Sequence, residues 1–213
     1  MKTPLQDFDK STAIQYETDI LIGIDEAGRG PLAGPVVACA CYVPPSLTIY
    51  FSDVNDSKKI TAKKREEVLA RMRHLGVLYG VGFASAREID RLNILQATFL
   101  AMRRASVKFT GIPAPLVLVD GPHLVKGLNL CQIAVVDGDA KSLNIAAASI
   151  VAKVARDKYM ETLDKLYPQY GFAAHKGYGT AAHLEALRKY GPCPQHRRSF
   201  GPVRAVLQPS LLP

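Results

Sequence analysis

The stretch "GIDEAGRGPLAGPVVACACYV", residues 23–43, joins two apolar runs through a segment that holds two acids and a spread of glycines. Ile22 and Ile24 end the first run, and Val36 to Val43 form the second, so the pair reads as two strands joined by an open loop. Asp25 and Glu26 stand side by side where the first strand leaves the core, and Gly28, Gly30 and Gly34 keep the following loop open. Adjacent carboxylates repel each other and contribute little to stability. A positive group is expected to meet them.

Working outward, the chain of 213 residues is long enough for one substantial domain, and its 48% hydrophobic content is ordinary for a protein that buries a real core. No apolar run reaches the roughly 18 to 20 residues that span a bilayer. The start, "MKTPLQDFDKST", carries acids and no hydrophobic segment, which does not read as a signal peptide. The scattered cysteines, Cys39, Cys41, Cys131 and Cys193, point to a reduced, cytoplasmic protein. "CPQH" (193–196) has half the spacing of a zinc site and no second half nearby. The net charge of +8 gathers in "RMRHL", "MRRASVK", "AHKGYGT" and "QHRRSFGPVR". Such an excess favours a polyanionic partner, nucleic acid first, with a generally basic surface as the plainer alternative.

Apolar β-type runs fall at 19–25, 35–43, 77–84, 115–120 and 131–137, and helical patterns at 61–74, 86–91, 93–108, 143–166 and 180–190. Thr61 and Ser142 stand where helix N-caps belong. In the longest helix, Ala147, Ile150, Val151, Val154, Leu163 and Leu166 mark a buried stripe. The class is therefore α/β, with a mixed sheet flanked by helices. From about residue 168, loops and one short helix are expected to form a small C-terminal lobe. Residues 1–17 read as an extension, 18–204 as the main domain and 205–213 as a tail.

Three apolar runs end in acid followed by a turn: "LIGIDEAG" with Asp25 and Glu26, "LVLVDGP" with Asp120, and "IAVVDGD" with Asp137 and Asp139. In α/β sheets, functional groups collect where strands leave the core. Buried apolar neighbours would raise a lone carboxylate's pKa unless a cation compensates. A shared divalent cation accounts for all three ends, and oxygen-only ligands favour Mg²⁺ or Mn²⁺ over zinc. Beside a polyanionic partner, the acids suggest two-metal phosphodiester hydrolysis. Because successive strand residues face opposite ways, Asp25 and Glu26 can share a site only if the strand ends there. "GIDEAGRG" is not a P-loop, since Arg29 and Gly30 stand where Lys and Ser/Thr are needed. "GRGPLA" is a poor dinucleotide fingerprint, because the preceding acids would repel a pyrophosphate.

"GIDEAGRGPLAGPV", "DSKK" (56–59), "LVDG", "AAASIVAKVARD", "YPQYGFAAHKGYGT" and "HRRSFGPV" together resemble bacterial ribonuclease HII, in that family's order, from about residue 20 to residue 204. The resemblance implies a ribonuclease-H-like fold that cuts RNA in RNA–DNA hybrids. It also implies incision 5′ of single ribonucleotides embedded in duplex DNA, leaving a 3′-hydroxyl and a 5′-phosphate, in primer removal and ribonucleotide excision. Matched residue by residue, the metal-binding catalytic acids are Asp25, Glu26, Asp120 and Asp139. The family usually carries a base where this chain has Asp137, so the local charge is more negative here and Asp137 could assist. The resemblance also assigns backbone groups of Gly28, Arg29 and Gly30 to the ribose 2′-hydroxyl and nearby phosphate, and Tyr178 to the next sugar. A deoxynucleotide offers no such hydroxyl, so recognition would be part of catalysis.

Among the remaining residues, Lys58 and Ser149 are candidates for the substrate backbone, and His175 and Lys176 for DNA phosphates. Lys153 and Asp157 are spaced as an i,i+4 ion pair, with Asp157 a possible neighbour of the metal acids. His183 and His196 are expected to support lobe packing, and Tyr167, Tyr170 and Phe172 to be core. Arg197 and Arg198 either face substrate or pair with acids inside the fold. The rival functions are a metal nuclease of the same fold without ribose selectivity, such as a junction resolvase, and a non-catalytic hybrid-binding module. A monomer that binds no membrane is expected.

Overall fold

The computed structural model describes residues 3–54 and 60–208. The "DSKK" motif, and with it Lys58, lies outside the described residues. Five strands form one mixed sheet: β1 (Leu21–Ala27), β2 (Val36–Tyr42), β3 (Leu78–Ala84), β4 (Leu116–Asp120) and β5 (Cys131–Val135), in spatial order β3-β2-β1-β4-β5. β1, β2 and β3 form an antiparallel meander, whereas β4 and β5 run parallel to β1. All five strands were legible as apolar runs, with ends shifted by up to two residues. β5 stops at Val135 because Asp137 turns the chain with φ of 52°.

Strand alternation divides the core between the two sheet faces. Ile22, Ile24, Val36, Ala38, Ala40, Val117 and Val119 pack under α3 (Ala86–Leu92) and α4 (Ile94–Ser106). Cys39 and Cys41 face the other way, against α2 (Ala62–His74) and the long α5 (Leu143–Leu166), as small buried hydrophobes. Thr61 accepts from the Lys64 amide and Ser142 from the Ile145 amide, so both expected caps are formed. α5 lies directly on β1. A Cβ at Gly23 would come within 2.1 Å of the Asn144 carbonyl carbon, so only glycine lets this helix start so close to the sheet. One residue of the expected stripe departs: Leu166, in the last turn of α5, is 66% exposed.

Three further α-helices, one before this frame and two in the lobe after it, form where the sequence predicted none. α1 (Pro4–Gln15) docks on the start of α5, where Asp9 Oδ2 accepts from the Asn144 amide and side chain at 3.2 and 2.9 Å. The lobe from Pro168 contains α6 (Phe172–His175), α7 (Ala181–Tyr190) and α8 (Gly201–Leu207), rather than one short helix. Tyr170 and Phe172 are buried there, with Tyr167 partly buried against them.

Candidate active site

The strand registers bring the acids together. Ile24 of β1 lies beside Val119 of β4, so the next residues, Asp25 and Asp120, stand side by side where the β1–β4 pairing ends. Ile24 and Val119 face α4, and alternation turns Asp25 and Asp120 toward α5. The expectation that β1 ends at Asp25 is corrected. β1 continues through Ala27, and Glu26 is paired with Ala38 of β2. Pairing with β4 does stop at Ile24, and around that open edge Glu26 reaches the same cleft.

The cleft has a volume of about 480 Å³. Asp25, Glu26 and Asp120 line one side with Gly28; Ser149, Lys153 and Arg156 of α5, Arg65 of α2 and Tyr178 complete it. Asp25 Oδ1 accepts from the Glu26 amide at 2.6 Å, and the Ser149 hydroxyl bonds the same carboxylate. Asp120 Oδ1 accepts from the Gly138 amide at 2.7 Å. Glu26 Oε1 meets Arg29 Nη1 at 3.3 Å. Burial, then repulsion from Glu26 and Asp120, holds the Asp25 carboxyl well above the usual carboxylate range. Burial also raises Glu26, with Arg29 opposing and Asp120 adding to the shift.

Arg29 offsets part of the charge on Glu26, yet the acids still repel one another and Asp25 stays raised. Their donors are all oxygen, which suits a hard divalent cation in kind, and a cation would relieve both the desolvation and the mutual repulsion. Among the described residues, no three or more His, Cys, Asp or Glu side chains are already gathered closely enough to hold a metal ion. Asp139 is buried in the turn that follows Gly138, whose amide donates to Asp120, and is not among the residues lining the cleft.

The loop from Gly28 to Pro35 is held by two buried arginines. Arg197 donates to the carbonyls of Gly28 (2.6 Å), Arg29 (2.8 Å) and Gly34 (3.0 Å). Arg156 donates to those of Pro35, Lys176 and Ala33. Arg197 therefore neither faces substrate nor pairs with an acid inside the fold; it holds loop carbonyls. Burial, with Arg156 nearby, lowers its pKa to about 9. Gly28 has φ of 95°, and a Cβ there would lie 1.9 Å from Arg156 Nε, so no other residue fits. Among the described residues, the Arg29 and Gly30 amides make no backbone–backbone hydrogen bond.

Tyr178 is 48% exposed at the cleft, across from Gly30, where a Cβ would meet its ring at 3.7 Å. His175 and Lys176 do not line the cleft. Both ring nitrogens of His175 are engaged in the lobe, and Lys176 pairs with Glu161 at 2.7 Å. The Lys153–Asp157 pair forms at 2.7 Å, with Lys153 alone of the two reaching the cleft. His183 and His196 are buried in the lobe as expected, and Arg198 donates only its amide to Asp90. The sequence reading missed Arg65 and Arg156. Arg156 had a signal, since Ser149, Lys153, Arg156 and Met160 recur at helical spacing on one face of α5.

A family model described as Ribonuclease HII matches residues 22–203. A Ribonuclease HII of Syntrophotalea carbinolica is 54% identical over 187 residues, covering 88% of each chain. The crystal structure of the ribonuclease H2 from Pyrococcus horikoshii OT3 superposes with a TM-score of 0.68 at 29% identity, covering 87% of this chain and 96% of that one. The structure of Bst-RNase HIII in complex with Mn²⁺ shares the fold, with a TM-score of 0.73 at 19% identity over 89% of this chain and 70% of that one. With its strand-end acids, its open loop and this family match across most of its length, the chain belongs to the ribonuclease HII family, nucleases that hydrolyse phosphodiester bonds of RNA paired with DNA.

Proposed function

We propose that the cleft incises duplex DNA on the 5′ side of an embedded ribonucleotide, as well as cutting longer RNA–DNA hybrids, and leaves a 3′-hydroxyl and a 5′-phosphate. The observation that carries this reading is one shared cleft: Asp25, Glu26 and Asp120 line it together with Gly28 and Tyr178. Cutting groups and ribose-reading groups thus meet the same nucleotide.

Asp25, Glu26, Asp120 and Asp139 are the residues that would hold two divalent ions, Mg²⁺ or Mn²⁺. When bound, the ions supply activation of the attacking water and neutralise the charge that develops on the phosphoryl oxygens. The protein's own groups select and orient the substrate. With the Gly28 and Arg29 carbonyls committed to Arg197, the Arg29 and Gly30 amides remain for the 2′-hydroxyl and the adjoining phosphate. Tyr178 stacks on the next sugar, and Arg65 and Lys153 supply positive charge for the backbone. Lys58, Ser149, His175 and Lys176 belong to the proposed substrate contacts, Ser149 from within the cleft and the two lobe residues from its flank. Because the reader uses backbone amides, it needs no particular base.

The reading includes a cytoplasmic monomer serving primer removal and ribonucleotide excision. No helix among the described residues is long and apolar enough to cross a membrane.

Asp25→Asn tests the site. It is expected to lower cleavage of a hybrid by at least about a thousandfold, in line with loss of a group that acts in the transition state, while leaving hybrid affinity nearly unchanged. Undiminished cutting by this variant would remove Asp25 from the machinery. A wild-type protein that binds hybrids and cuts nothing would favour the binding-module alternative.

A further inference from the structure

Behind Tyr178, the C-terminal lobe holds three neighbouring histidines, of which His183 and His196 have no part in the proposed substrate contacts. His183 and His196 are buried, His175 stacks on His183 with centroids 4.5 Å apart, and the Phe172 ring sits edge-on to His183 at 5.5 Å. Their hydrogen bonds run to backbone groups and to each other. The Cys193 amide donates to His196 Nδ1 at 3.0 Å, His183 Nε2 and His196 Nε2 are 3.1 Å apart, and His183 Nδ1 meets the Tyr178 carbonyl at 2.9 Å.

These partners leave one proton arrangement. A carbonyl only accepts, so His183 Nδ1 carries a hydrogen. An amide only donates, so His196 Nδ1 is bare and its Nε2 is protonated. His196 Nε2 therefore donates to His183 Nε2, which completes a one-way relay from Cys193 to the Tyr178 carbonyl. Reversing either tautomer would set hydrogen against hydrogen or lone pair against lone pair.

His196 also belongs to the segment that clamps the loop. Ala33 bridges to His196, the Gly34 amide donates to the Gln195 carbonyl at 2.9 Å, and the Arg197 amide donates to the Leu32 carbonyl at 2.8 Å. The segment around His196 thus grips the loop through the backbones of Gln195 and Arg197, while the His196 ring reaches the Tyr178 carbonyl through His183.

We propose that His196, acting through His183, is a positioning residue that sets the spacing between the Gly28–Gly30 loop and Tyr178, and so fixes the geometry in which a ribose is read. This rests on the ribose-reading role proposed above. A dry pair of neutral imidazoles does this well: it is rigid and directional, and burial keeps both rings uncharged at neutral pH.

The test uses two variants in the full chain. His196→Gln can place an amide donor near the position of Nε2 and keep the bond to His183. His196→Asn can keep the acceptor for the Cys193 amide but is too short to reach His183. On duplex DNA containing one ribonucleotide, His196→Asn is expected to lower kcat about tenfold with little change in KM, and His196→Gln to lower it no more than about twofold, since small displacements of positioning groups act on turnover. In a Tyr178→Ala background, His196→Asn should cost almost nothing further, because both changes act through one group. A long-range ¹H–¹⁵N spectrum of the wild type at pH 7 should show His183 protonated on Nδ1 and His196 on Nε2. Equal losses in Asn and Gln variants, an undiminished loss in the Tyr178→Ala background, or the opposite tautomers would overturn the relay. Wild-type cutting by Tyr178→Ala alone would instead overturn the ribose-reading role of Tyr178.

Discussion

Gly28 shows how tightly a single residue is determined in this protein. Its φ of 95° is unfavourable for side chains other than glycine, and Arg156 Nε occupies the space a Cβ would need. Gly28→Ala is expected to destabilise the fold by about 2 kcal/mol, through backbone strain and displacement of Arg156. Activity should fall more than stability, because the displaced arginine also holds Ala33, Pro35 and Lys176. Thermal melting and a cleavage assay at a temperature where the variant remains folded would check both. The sequence shows at this scale that glycines are needed in the loop, and that Asp25, Glu26 and Asp120 are strand-end acids. It does not show what occupies the glycine's missing side-chain space. Arg156 and Arg197 bind carbonyls far away along the chain, and such partners leave no trace in local spacing.

At the scale of elements, α5 and β1 carry the site between them. Asp25 comes from β1, Ser149 and Lys153 from α5, and their separation is set by how closely the helix lies on the strand. Gly23 makes that contact possible. Gly23→Ala is expected to cost about 3 kcal/mol, because the new methyl would meet the Asn144 backbone, which cannot swing away as a side-chain end can. Urea unfolding would measure it, and a cost near zero would mean that α5 can lift without penalty. The strands were legible because each is a continuous or alternating apolar run, α2 and α5 because capping residues precede a helical pattern, and α3, α4 and α7 from the pattern alone. α1 was less so: only Leu5, Gln6, Asp9 and Thr12 are buried, so its inner face is largely polar. It is anchored by polar contacts instead, with Gln6 donating to the Thr48 carbonyl and Asp9 accepting from Asn144. Likewise, "GPVRAVL" in α8 is too short to display a period.

For the whole molecule, pH ties these local features to stability. Burial lowers the pKa of His183, and that of His196 to about 4, below the roughly 6.5 of an unfolded histidine. Between those values the unfolded chain binds more protons, so the histidine contribution is complete above about pH 6.5 and is lost as pH falls toward 4. Asp9 works in the opposite sense. Burial raises its pKa to about 6, so the folded protein takes up a proton there as pH falls and gains stability relative to the unfolded chain. Asp9→Asn removes that offset. Its melting temperature should fall more steeply than the wild type's between pH 6 and pH 4, and parallel curves would contradict the assignment.

The molecule as a whole brings the carboxylates, the glycine loop and Tyr178 to one cleft, and the central proposal is that cutting depends on reading a ribose. The most direct measurement is cleavage of duplex DNA containing one ribonucleotide, beside an all-DNA duplex of the same sequence, with Mg²⁺ or Mn²⁺ and with chelator. A single metal-dependent cut 5′ of the ribonucleotide, with the all-DNA duplex intact, is the predicted result. Equal cutting of both duplexes would contradict it, leaving a nuclease whose loop and Tyr178 do not discriminate ribose from deoxyribose.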